Sequence, residues 1–131
     1  MRALSALLAL PLILAACAPV EGANATRTTE PRACFLVQQA TSFRADGQQS
    51  VYIRTVGRDV FRLDTSVCPG LETNFQIGLD PGLGFSSRLC EGDTVRLIAR
   101  GYSSDIEACP ARVMARLTEA EIEALPARDR P

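Results

Sequence analysis

The sequence predicts a mostly β fold, a small antiparallel barrel of five or six strands with a C-terminal helix. Three observations carry this. Short apolar runs alternate with a two-residue period between Phe35 and Leu117. Turn residues break the runs at Ala45-Asp46-Gly47, Asp80-Pro81-Gly82 and Glu91-Gly92-Asp93. Cys34, Cys68, Cys90 and Cys109 are spread through the same region, as in small domains stapled by disulfides. An OB-like barrel fits this pattern first, and an open sandwich is the alternative.

The chain opens with MRALSALLALPLILAAC. One positive residue, Arg2, precedes an apolar run that ends in small residues, the pattern of an export signal. The run falls short of the roughly 20 apolar residues that a membrane-spanning helix needs. Leu14-Ala15-Ala16-Cys17 resembles the lipobox of bacterial lipoproteins. That resemblance implies that residues 1–16 are a signal peptide and that Cys17 carries lipid. An ordinary secretory signal, cut elsewhere, is the alternative. Ala18 stands after the cysteine where aspartate would favour inner-membrane retention. The resemblance therefore implies an outer-membrane lipoprotein facing the periplasm. Residues 17–33 hold the lipidated cysteine and a polar stretch with Val20 as its one large apolar residue. Such a stretch is expected to be a disordered tether, spanning about 20 Å as a flexible coil.

The domain is expected over residues 34–126. In CFLVQQATSF, Phe35, Val37, Thr41 and Phe43 share one side. SVYIRT and VFRLDT form a hairpin with Ile53 opposite Leu63 and Gly57-Arg58-Asp59 as its loop. NFQIGL places Phe75, Ile77 and Leu79 together, and TVRLIAR turns Val95, Leu97 and Ala99 inward. PARVMARL turns Val113, Ala115 and Leu117 inward. Thr118 with Glu121 three residues later is a capping box, and Ile122 and Leu125 share a helical face that Pro126 ends. This helix is expected to plug one end of the sheet, with partner binding as the alternative. Residues 127–131 form a charged tail, expected to fray.

Composition narrows the chemistry. The 131 residues carry a net charge of −1, no histidine and no tryptophan, and every basic residue is arginine. Without histidine or lysine there is no imidazole-activated nucleophile, imidazole metal ligand, Schiff base or phosphate-loop lysine. Near-neutral charge gives no reason to expect nucleic acid. The cysteines lie too far apart for a zinc-ligand pattern. Cys17 is thus expected as the anchor, and the other four as two disulfides. The preferred pairing is Cys34 with Cys109, tying the first strand to the last, and Cys68 with Cys90.

"RACF", "SVYIRTVGRDVFRLDTSVCPGL", "RLCEGDTVRL" and "CPARVMARLTEAEIEAL" carry a wider resemblance. Over residues 32–125 the chain is similar to an uncharacterised family of small proteobacterial exported proteins, a domain of unknown function. The resemblance supplies no catalytic residues.

An outward set of arginines remains: Arg54, Arg62, Arg96, Arg100, Arg112 and Arg116. The hairpin register expected above sets Arg54 opposite Arg62, a repulsive pair. Asp64 could relieve it, or an anion could bridge the two guanidiniums. Arg54, Arg62, Arg96 and Arg112 are therefore the candidate anion-binding residues. A solvated face that keeps sheet edges apart is the alternative. Asp80, Glu91 and Asp93 sit in turns and are expected to serve the backbone there rather than catalysis. Tyr52, Phe85 and Tyr102 are expected as barrel ends and loop anchors, with the lining of a pocket as the alternative. The reading is a non-catalytic interaction or envelope-structural module, without metal or cofactor, its partner an envelope protein. The alternative is a sensor for a small anion or an anionic glycan.

Overall fold

The computed structural model describes residues 31–73, 76–82, 86–100 and 106–131. Cys17, the apolar segment before it and most of the expected tether lie outside the described residues, as do Phe75, Phe85 and Tyr102. Among the described residues there are eight strands: β1 (Cys34–Leu36), β2 (Ala40–Asp46), β3 (Ser50–Thr55), β4 (Val60–Thr65), β5 (Gln76–Asp80), β6 (Arg88–Cys90), β7 (Thr94–Arg100) and β8 (Ile106–Leu117). One helix follows, α1 (Glu119–Ala124).

Six strands form the expected small antiparallel barrel, nearly closed, in the order β2-β3-β4-β8-β7-β5. Two three-stranded halves, β2-β3-β4 and β5-β7-β8, meet where β4 pairs with β8. The alternating residues of the sequence supply the core. Val51, Ile53, Phe61, Leu63, Val95, Leu97 and Val113 are buried in one cluster. Each such side chain contributes about 1.5–3 kcal/mol on burial. β1 and β6 form a separate ribbon, which lays Phe35 and Leu89 against the same core. The ring of Phe35 meets that of Phe61 with centroids 4.6 Å apart.

The β3–β4 register differs from expectation by two residues. Ile53 faces Phe61, and Leu63 faces Val51. The loop keeps its expected length but moves back one residue, to Val56-Gly57-Arg58. Arg58 N–H donates to the Thr55 carbonyl and Thr55 N–H to that of Asp59, each at 2.9 Å. Arg58 holds φ at +70°, the left-handed position that ends a three-residue hairpin loop. Glycine suits that position better. Arg58→Gly is therefore expected to stabilise the domain by about 0.5–1 kcal/mol, read as a melting temperature raised by a few degrees.

Two bulges change which residues share a face. β2 skips Thr41 against β3, and β8 skips Met114 against β4. Beyond Met114 the phase of β8 reverses. Val113 faces Leu63 in the core, but Ala115 faces Arg62, and Arg116 faces Phe61. Ala115 and Leu117 were expected inward and Arg116 outward; the extra residue exchanges the faces they share with β4, leaving Ala115 and Leu117 half-buried and Arg116 still exposed.

The four cysteines form two disulfides, and the expected pairing is corrected. Cys34 bonds to Cys90 and Cys68 to Cys109, with Cα separations of 4.0 and 5.7 Å. Register explains both. Cys34 and Cys90 are direct partners in the β1–β6 ribbon. Cys109 lies within β8 rather than before it. Since Thr65 pairs with Ala111, the chain leaving β4 reaches Cys68 beside Cys109.

At the C-terminal end the capping box forms as expected. Thr118 Oγ1 accepts from the Glu121 N–H, and Glu121 accepts from the Thr118 N–H. The Thr118 N–H first, and the Thr118 hydroxyl second, donate to the Glu121 carboxyl and hold it below its ordinary pKa. The tail does not fray. Residues Ala127–Asp129 make a 3-10 turn packed on β2, and Asp129 is buried. Arg130 donates to the carbonyls of Glu123 and Leu125 at the end of α1. The last residues of the expected tether are likewise fixed. Arg32 pairs with Asp93 at 3.4 Å, and the Ala33 carbonyl accepts from Glu91 N–H.

Candidate functional site

The outer face of β2, β3 and β4 carries the charged residues singled out in the sequence. Tyr52 stands at its centre, between Arg44 on β2 and Arg62 on β4. Unlike most outward side chains it is buried, only 5% exposed. Its hydroxyl donates to Asp46 Oδ2 at 3.3 Å. Burial, and after it the charge of Asp46, push the phenol above its ordinary pKa. Tyr52 thus anchors the sheet rather than a barrel end.

Arg54 and Arg62 do not face each other. Arg54 stands opposite Val60, and its Nε donates to the Pro131 backbone oxygen at 2.7 Å. Arg62 reaches along its own strand to Asp64, with bonds of 2.8 and 3.0 Å. This bidentate contact raises the guanidinium above its ordinary pKa. Asp64 also accepts from the Ser50 hydroxyl at 2.9 Å and lies opposite Arg112 on β8. The repulsive pair that motivated an anion site is therefore absent, and Asp64 serves Arg62 instead of Arg54. Arg96 lies on another part of the barrel, paired with Asp80 of β5. Arg116, moved by the bulge, approaches Asp59 at 3.8 Å. The structure brings Arg62 and Arg112 together around Asp64 and leaves Arg54 and Arg96 apart from them.

The turn carboxylates hold backbone amides. Asp80 accepts from Gly82 N–H at 2.8 Å, and Asp93 accepts from Cys90 N–H at 2.9 Å. The Gly82 contact, and then Arg96, lower the Asp80 pKa. Glu91 accepts from the amides of Arg116 and Ala33 at 2.8 and 3.4 Å. Asp80 and Asp93 thus do the work expected of turn chemistry, whereas Glu91 ties its turn to the end of β8 and to the chain before β1. Glu107 lies close to the sulfurs of Cys68 and Cys109. Those sulfurs are bonded to each other and offer no thiolate to a metal.

Among the described residues, two of the surface grooves are lined by charged side chains of both signs. One, of about 700 Å³, follows β2 along Thr41–Ala45 between Leu71-Glu72 and Arg128-Asp129. The other, of about 570 Å³, lies by the hairpin tip among Arg58, Asp59, Glu91, Arg116, Glu119 and Ile122. Both mix charges of opposite sign. The sequence pointed to neither, because each is assembled from segments far apart in the chain. In the first, Asp129 belongs to a tail whose composition reads as solvated.

Barrel, ribbon and staples define a small disulfide-bonded β domain whose outer arginines are largely engaged with its own acids and carbonyls. The chain belongs to a family of unknown function, DUF6491, whose family model matches residues 1–130. No curated protein and no solved structure matches the chain.

Proposed function

We propose that the chain is an exported lipoprotein, held through Cys17 at the periplasmic face of the outer membrane. Its β domain serves there as a non-catalytic interaction or envelope-structural module. The observation that carries this reading is the pair of disulfides. Disulfides persist in oxidising compartments, and small exported domains depend on them. The charged, apolar and small-residue order ending at Cys17 supplies the route and the anchor. Turn carboxylates committed to backbone amides, in a chain without histidine or lysine, favour binding over catalysis. Arg54, Arg62 and Arg96 already have partners within the chain, so an envelope protein is preferred to an anionic glycan as the ligand.

Cys17→Ser tests the anchor. Acyl chains contribute about 0.8 kcal/mol per buried CH₂, and two or more give stable membrane residence. The wild-type chain is expected in the membrane pellet after a salt wash. The variant is expected almost entirely in the soluble fraction, with unchanged thermal stability, because Cys17 lies outside the domain. A variant that still pellets would sink the lipid anchor.

A further inference from the structure

The two disulfides sit in different surroundings. Cys68 is fully buried and Cys109 is 5% exposed, and both belong to the core cluster. Cys34 and Cys90 are each partly exposed. They face each other in a ribbon of two three-residue strands that lies outside the six-stranded sheet. Glu91 N–H bonds to the Ala33 carbonyl at 3.0 Å, and Val37 N–H to that of Ser87 at 2.8 Å. In the antiparallel alternation this makes Cys34–Cys90 a non-hydrogen-bonded pair, so no ladder bond joins the two residues themselves.

We propose that Cys34–Cys90 is a thiol–disulfide exchange site, while Cys68–Cys109 is a permanent staple. Exchange requires a thiolate to reach a sulfur, and exposed bridges are the labile ones. An incoming dithiol attacks one sulfur of the pair. The Cys34–Cys90 bond breaks, and the departing thiolate takes a proton. The second thiol of the reductant then attacks the mixed disulfide. It releases the other cysteine as a thiol and leaves the reductant as its own disulfide, two electrons and two protons having passed to the chain. The Arg32 carbonyl lies 3.3 Å from Cys34 Sγ, a ready acceptor for the thiol that forms. The six-stranded sheet keeps its ladder and its buried bridge throughout. What loosens is β1, the strand through which the preceding chain enters the domain. In the cell the reductant would be a dithiol oxidoreductase, and that part rests on the export proposed above.

The oxidised full-length chain is exposed to graded dithiothreitol, alkylated with iodoacetamide and mapped by mass spectrometry, with circular dichroism recorded in parallel. Cys34 and Cys90 are expected to label at least ~10-fold faster than Cys68 and Cys109, with the sheet signal retained. Simultaneous labelling of all four cysteines would overturn the proposal, as would earlier labelling of the buried pair, or labelling only as the sheet signal disappears. The Cys34→Ser/Cys90→Ser variant adds a second reading. It is expected to keep the sheet signal and a cooperative melt, and failure to fold would make this bridge structural. None of these measurements depends on location. They can fail while Cys17→Ser succeeds, or the reverse.

Discussion

Replacing Cys68 and Cys109 together by alanine is expected to lower stability by about 3–5 kcal/mol, more than the same replacement of Cys34 and Cys90. Loop length does not decide this ranking. The bridges span 41 and 56 residues, and the chain-entropy treatment separates them by only about 0.3 kcal/mol, in favour of the longer. Burial decides it. Cys68 and Cys109 sit in the core, so two alanines also leave a space that a packed interior fills poorly. Cys34 and Cys90 lie at the surface of a ribbon, where the loss is nearer the bare cross-link, about 2–4 kcal/mol. Against a total of roughly 5–15 kcal/mol, the first variant loses a large share of its stability. Its melting temperature is expected to fall by about 15–30 °C. Urea denaturation of the two double variants compares them directly. If the Cys34/Cys90 variant proved the weaker, the ribbon and not the β4–β8 seam would be holding the barrel together.

How far the sequence reached depended on whether a feature was local. Alternation in VFRLDT and TVRLIAR is local, and so is the Thr118–Glu121 capping box, and both appear as expected. The hairpin register is not settled by alternation. Sliding β4 by two residues keeps every apolar side chain on the same face, so Leu63 and Phe61 are equally good partners for Ile53. The turn breaks the tie by placing Arg58 at positive φ, where sequence reasoning looks for glycine or asparagine. Bulges are invisible for a related reason. Nothing about Met114 marks it as the residue to skip, yet skipping it moves Arg116 to the opposite face. The Arg54–Arg62 pair depended on that register, and so it was misread while both residues were correctly seen as outward on β3 and β4. Cysteine pairing needed the strand order itself. A ribbon of three-residue strands outside the main sheet has no signal in spacing alone.

Phe61→Ala is expected to cost about 3–5 kcal/mol, whereas Phe61→Leu should cost less than half of that. Phe61 is 1% exposed and occupies the middle of the core, facing Ile53 across β3. It is also a contact between the barrel and the ribbon, through its ring against Phe35. Alanine removes both the buried area and the partner on which β1 rests, and the rigid sheet around it has little freedom to collapse into the gap. Leucine refills most of that volume but not the aromatic contact. A double-mutant cycle separates the two losses. If the rings act together, Phe35→Leu and Phe61→Leu should couple by about 0.5–1.5 kcal/mol in urea denaturation. Additive losses would show that the ribbon packs on the barrel as undifferentiated apolar area. The same variants reach the exchange chemistry at Cys34–Cys90. With Phe61 gone, β1 depends more heavily on its disulfide and its few ladder bonds. Phe61→Ala should therefore speed labelling of Cys34 and Cys90 after mild reduction, measured by alkylation while the sheet signal is still intact. Unchanged labelling in that variant would mean that the Phe35–Phe61 contact does not hold β1 against the core.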